Sequence, residues 1–94
     1  MSINYEALGR YVATEEVIKA LLHKQTQLAY QIEKLLAKTK NHYPNTKIIR
    51  VIETALVVEL SSELNQVHAD LMMAIDEVNS YADEAQKPKI DLIT

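Results

Sequence analysis

The strongest constraint on this chain is where it can bend. Its 94 residues hold one glycine, Gly9, and two prolines, Pro44 and Pro88. These residue types punctuate a fold most sharply, and here they stand near the two ends and just before the midpoint. The spacing therefore predicts two long elements separated by one turn.

The first element carries a helical pattern. Ile18, Leu21, Leu22, Leu28, Ala29, Ile32, Leu35 and Leu36 recur every three or four residues, as one face of a helix requires. At about 100° per residue they cover an arc of roughly 140°, a single narrow stripe. Written as heptads, Ile18, Gln25 and Ile32 take a positions and Leu21, Leu28 and Leu35 take d positions. Gln25 interrupts this seam. It fits either an edge amide that reaches water or a buried amide that fixes register.

Residues 39–46, TKNHYPNT, read as the turn. Lys38, Lys40 and His42 complement the negative end of the first helix dipole, Pro44 cannot continue that helix, and Asn45 or Thr46 can cap the next.

The stretch IIRVIETALVVEL, residues 48–60, is apolar and rich in β-branched residues. Strands would place Ile48 and Ile49, or Val51 and Ile52, on opposite faces of a pleat, and no Gly, Pro, Asn or Asp offers a turn between two of them. The three-four spacing through Ile49, Ile52, Leu56, Leu60, Leu64, Val67, Leu71, Ala74, Val78 and Tyr81 favours a helix, because burial overrides β-propensity. Three consecutive steps of four, from Ile52 to Leu64, predict a local relaxation of supercoiling. Ser61-Ser62 lies inside it, but no Glu or Gln follows either serine by three to complete a capping box, so an unbroken or merely bent helix is expected.

The expected fold is all-α: a single domain over 1–94, a long antiparallel helical hairpin with helices at roughly 5–40 and 46–86. The tail 87–94 is expected to be extended or disordered, as chain termini commonly are. From Ile48 to Leu60 the apolar side chains spread over roughly 200°, more than one neighbouring helix covers. A self-pairing of hairpins into a dimeric four-helix bundle is the expectation, against a monomer that covers the arc itself. The expected oligomer interface is Ile48, Val51, Ile52, Ala55, Val57, Val58 and Leu60.

Composition bears on function at three points. The chain lacks cysteine, which removes thiolate metal sites and cysteine nucleophiles. Its first residues carry acids and no basic start before an apolar run, and no stretch reaches the ~18 apolar residues of a membrane span; the expectation is a soluble, cytoplasmic protein. The net charge of −3 hides a polarity, because Lys34, Lys38, Lys40, Lys47 and Arg50 give +5 between Lys34 and Ile52 with no acid, leaving −8 elsewhere.

The basic turn with Tyr43, together with Met72, expected opposite the core stripe with Met73 nearer a flank, forms the candidate partner surface: Lys34, Lys38, Lys40, Tyr43, Lys47, Arg50 and Met72. With Tyr43 as the one aromatic ring there, nucleic acid is a weak reading. His23, His42 and His68 belong to no metal-ligand pattern, and Glu59 and Glu63, one turn apart, lack the His three residues on that di-iron sites use. No phosphate-cradling glycine loop or nucleophile elbow occurs. The expectation is a non-enzymatic protein-protein interaction module, without cofactor or metal, that forms a homodimer and docks on a larger protein. The alternatives are a small inhibitor or immunity factor that blocks a larger machine, and a nucleic-acid-associated factor using the basic tip.

Overall fold

The computed structural model describes residues 4–38, 47, 49 and 51–94. Among these residues there are two helices, α1 (Tyr5–Ala37) and α2 (Thr54–Ala85), packed against each other as an antiparallel hairpin. The molecule measures 73 × 20 × 15 Å.

Asn4 starts α1. Its Oδ1 accepts the Ala7 N–H at 3.1 Å, and its Nδ2 donates to Glu84 at 3.0 Å. One side chain thus satisfies an orphan donor at the helix start and ties that start to the end of α2. Gln86 ends α2 in the left-handed region, with φ at 57°. Its N–H donates to the Asp83 carbonyl and the Lys87 N–H to the Ala82 carbonyl, the paired bonds of a Schellman stop.

Both helices keep a seven-residue repeat. On α1 the seam runs through Ala7, Tyr11, Thr14, Ile18, Leu21, Gln25, Leu28, Ile32 and Leu35; on α2 it runs through Val57, Leu60, Leu64, Val67, Leu71, Ala74, Val78, Tyr81 and Ala85. The helices are antiparallel, so a positions of one meet d positions of the other, and level residues have numbers that add to about 92. The buried side chains form two clusters along this seam. One, at the open end, joins Ala7, Tyr11 and Ile18 to Leu71, Ala74, Ile75, Val78, Ala82 and Ala85. The other, toward the turn, joins Leu28 to Leu60 and Val67.

The tail folds back on the open-end cluster. Asn79 donates from Nδ2 to the Ile90 carbonyl at 3.1 Å and accepts the Ile90 N–H on Oδ1 at 2.8 Å. The Tyr11 hydroxyl donates to the Pro88 carbonyl at 3.0 Å, and Ile90 packs against the cluster.

Three sequence expectations change. The second helix begins at Thr54, not near residue 46, and Val51, Ile52 and Glu53 are outside it. The reason is register: Thr54 lies level with Lys38, just past the end of α1, so among the described residues β-branched Val51 and Ile52 have no helical partner at their level. Val51 is 86% exposed, and without burial its poor helix propensity decides. Next, α2 is unbroken through Ser61-Ser62, but its repeat does not relax there. The seam enters at half-buried Val57 rather than at Leu56, which removes the run of four-residue steps. Lastly, the apolar residues of α1 divide into two rows: Ile18, Leu21, Leu28, Ile32 and Leu35 face α2, whereas Leu22, Ala29 and Leu36 are exposed beside them. One neighbouring helix cannot cover both rows.

Candidate interaction surface

The two faces of the hairpin differ in kind. On one, the heptad g row of α1 reads Arg10, Val17, Lys24, Gln31 and Lys38, with a base at every second position. The g row of α2 holds Leu56, Glu63, Asp70, Glu77 and Glu84. In an antiparallel pair g faces g, so this face sets bases against acids. Arg10 illustrates it at the open end. It bonds Glu6 at 2.9 Å, stacks 5.7 Å from the centre of the Tyr81 ring, and has its pKa pushed up by the Tyr81 hydroxyl first and then by the charges of Glu6 and Glu77. Such exposed pairs contribute little to stability. Toward the turn this face also opens, as a trough of about 270 Å³ lined by Gln31, Lys34, Leu35, Lys38, Leu56 and Leu60.

The opposite face is apolar on α1. Its e row reads Leu8, Glu15, Leu22, Ala29 and Leu36, against Ala82, Ile75, His68, Ser61 and Thr54 of α2. At the open end this face is covered: Ile75 and Ala82 are buried, and the tail lies across it through Asn79 and Ile90. Toward the turn it is open. There a trough of about 410 Å³ is lined by Ala29, Ile32, Glu33, Leu36, Ala37 and Leu64, and a second of about 350 Å³ adjoins it at Leu64, lined also by Gln25, Ser61, Asn65 and His68.

Gln25 is half-buried, and its Oε1 is enclosed without a hydrogen-bond partner. Of the two readings of this amide, the oxygen's position matches the enclosed one.

The expected oligomer interface is distributed over the molecule instead of forming one surface. Leu60, at 8% exposure, is a correction: it belongs to the cluster with Leu28 and Val67 inside the hairpin. Val57 is half-buried in the same seam, Ala55 is exposed on the outer side, and Val58, at 69% exposure, stands on the edge of the apolar face. Val51 and Ile52 are exposed beyond the start of α2, and Ile48 lies outside the described residues.

The candidate partner surface is likewise revised. Met72 is half-buried against the open-end cluster, and Met73, at 73% exposure, is the methionine that points outward. Ile75 and Ala82 are the cause: neither counted toward the sequence stripe, and their burial turns the inward face of α2 toward Met72. Lys34 and Lys38 are exposed at the end of α1, with Lys34 lying 5.6 Å from the Tyr30 ring centre, and Lys47 is exposed as well. Lys40, Tyr43 and Arg50 lie outside the described residues.

His23 and His68 are exposed on different helices, as are Glu59 and Glu63 on α2; His42 lies outside the described residues. Among the described residues no group of three or more His, Asp or Glu side chains is placed to hold a metal, and no helix is long and apolar enough to cross a membrane. Comparison of the chain with protein-family models, with curated proteins and with solved structures yields no match.

Proposed function

We infer that this protein is a non-enzymatic protein-protein interaction module: a helical hairpin that pairs with a second copy of itself as a four-helix bundle and docks on a larger protein. The observation that carries the reading is surface. The chain exposes 7566 Å², whereas a compact protein of its mass exposes about 5,500 Å². Its radius of gyration is 19.9 Å, against about 12 Å for a compact domain of this length. The surplus of about 2,000 Å² is ample for an interface that takes about 800 Å² from each partner. It is also partly apolar, with Leu22, Leu36 and Val58 exposed along the e side of the turn-proximal half. Apolar surface of that kind, grouped on one side, marks association.

Docking on a further protein is supported by the charge polarity of the chain, which gives the turn end five bases and no acid between Lys34 and Ile52. A field of one sign steers a partner of the other. Recovery of tagged protein from its native host tests this. The expected result is one co-purifying protein that survives a wash at high salt. Recovery of nucleic acid alone, salt-sensitive and abolished by neutralising Lys38, Lys40, Lys47 and Arg50 together, would replace it with the nucleic-acid reading.

A further inference from the structure

We propose that the second copy lies antiparallel on the apolar face, with the two-fold axis passing beside Ala29, so that Ala29 of each chain meets its counterpart and Leu22 of each meets Leu36 of the other. The proposal rests on the self-association inferred above, and it commits that association to one face and one direction.

Three observations converge on it. Leu22, Ala29 and Leu36 form an exposed row at seven-residue intervals, about 21 Å long at 1.5 Å per residue. Such a row is its own complement when reversed about its midpoint, which is what an isologous contact requires. The midpoint is a small side chain, so the two α1 helices can approach closely there. The trough beside it, bounded by Ala29, Leu36 and Leu64, is open to receive the leucine of the other chain. On α2, level with Ala29, the e row likewise presents a small residue, Ser61.

The second observation is the tail. It covers the same face at the open end, where Ile90 is clamped by Asn79 and where Ile75 and Ala82 are consequently buried. The face therefore already accepts a third layer over part of its length. The uncovered remainder runs from the level of Leu22 to that of Leu36, and Ala29 is its centre.

The third observation is charge. Two hairpins stacked face to face can run the same way, with α1 of one on α2 of the other, or opposite ways, with α1 on α1. Running the same way brings together two turn ends, each with five bases and no acid between Lys34 and Ile52. Running opposite ways sets Lys34 and Lys38 toward the open half of the other copy. Glu15, the acid that interrupts the row, and Glu16 stand in that half, paired with Lys19 of their own helix at 3.9 and 3.3 Å, so what this direction gains is the separation of the two basic ends. Avoidance of like-charge repulsion between the turn ends selects the antiparallel direction.

The chain has no cysteine, so single cysteines placed on this full-length protein report the contact directly. Oxidation at low micromolar concentration is expected to link Ala29→Cys to itself, and to link an equal mixture of Leu22→Cys and Leu36→Cys while leaving each of those alone largely unlinked. Sedimentation of the reduced variants gives the mass, and far-UV circular dichroism checks that these exposed substitutions leave the helices intact. A dimer in which Ala29→Cys does not link, or in which Leu22→Cys links to His68→Cys instead, overturns this orientation and leaves self-association standing. A monomeric mass with no link overturns both.

Discussion

At the open end of the hairpin Val78 and Ala82 are fully buried, and Ala7, Tyr11 and Ala85 nearly so; at the level of Leu28 and Leu60 the same two helices leave Leu22, Leu36 and Val58 in solvent. Both halves use one seven-residue repeat. They differ in what lies on the apolar face. The open half has the tail, pinned through Asn79 and Tyr11, as a third layer over small residues that let the helices close together. In the turn-proximal half no third layer lies over the two helices among the described residues. Burial in a helical protein needs a second neighbour for each helix, and a hairpin supplies only one.

The contrast can be broken by truncation on each side of it. Leu71→Ala, in the larger cluster, is expected to cost about 3–5 kcal/mol, the upper part of the range for buried leucines. Leu60→Ala, in the smaller and more open one, should cost about 2 kcal/mol, because its surroundings can collapse. Urea midpoints at one fixed, low protein concentration give both values, and equal losses would remove the distinction between the halves.

Next in size is the tail clamp. Asn79→Ala removes two hydrogen bonds to Ile90, each worth about 1 kcal/mol, so a loss of about 2 kcal/mol is expected, with faster proteolytic trimming of residues 87–94. Unchanged trimming would mean that the tail is held by something other than this side chain.

Gln25 sharpens the comparison from the other direction. Its enclosed Oε1 lacks a partner, a condition that costs about 1–3 kcal/mol. Gln25→Leu should therefore raise stability by about 1–2 kcal/mol, read as a higher thermal midpoint. A fall would assign the amide to a contact that the single hairpin does not contain.

The smallest effects lie at the helix ends. Gln86 holds a left-handed conformation that suits glycine, so Gln86→Gly is expected to gain about 1 kcal/mol. A Cβ on Gly9 meets nothing within 4 Å, and Gly9→Ala should gain about 0.5–1 kcal/mol from helix propensity alone.

The two long helices were legible because their signal is periodic, whereas the turn expected at 39–46 lies outside the described residues. Leu21, Leu28 and Leu35 repeat at seven, and the breakers Pro44 and Pro88 stand outside both helices. Where the signal was periodic but burial was absent, the sequence misled: Ile49 and Ile52 continue the spacing of α2, yet α1 ends at Ala37 and gives them no surface to cover. The same cause separated Leu22, Ala29 and Leu36 from the buried stripe, since spacing alone cannot say where one neighbour stops. Met72 and Met73 exchanged roles because Ile75 and Ala82 widened the buried face on one side. Asn4 and Asn79 left no periodic trace at all. Each works through a single long-range hydrogen-bond geometry, with Glu84 in one case and Ile90 in the other.

We propose that a second copy completes the turn-proximal half of this hairpin. Sedimentation equilibrium of the full chain at low micromolar concentration tests it most directly. The expected species has twice the 10.7 kDa of one chain, and Ala29→Arg reduces it to a single chain with its helical signal unchanged; a wild-type chain that stays at 10.7 kDa overturns the pairing.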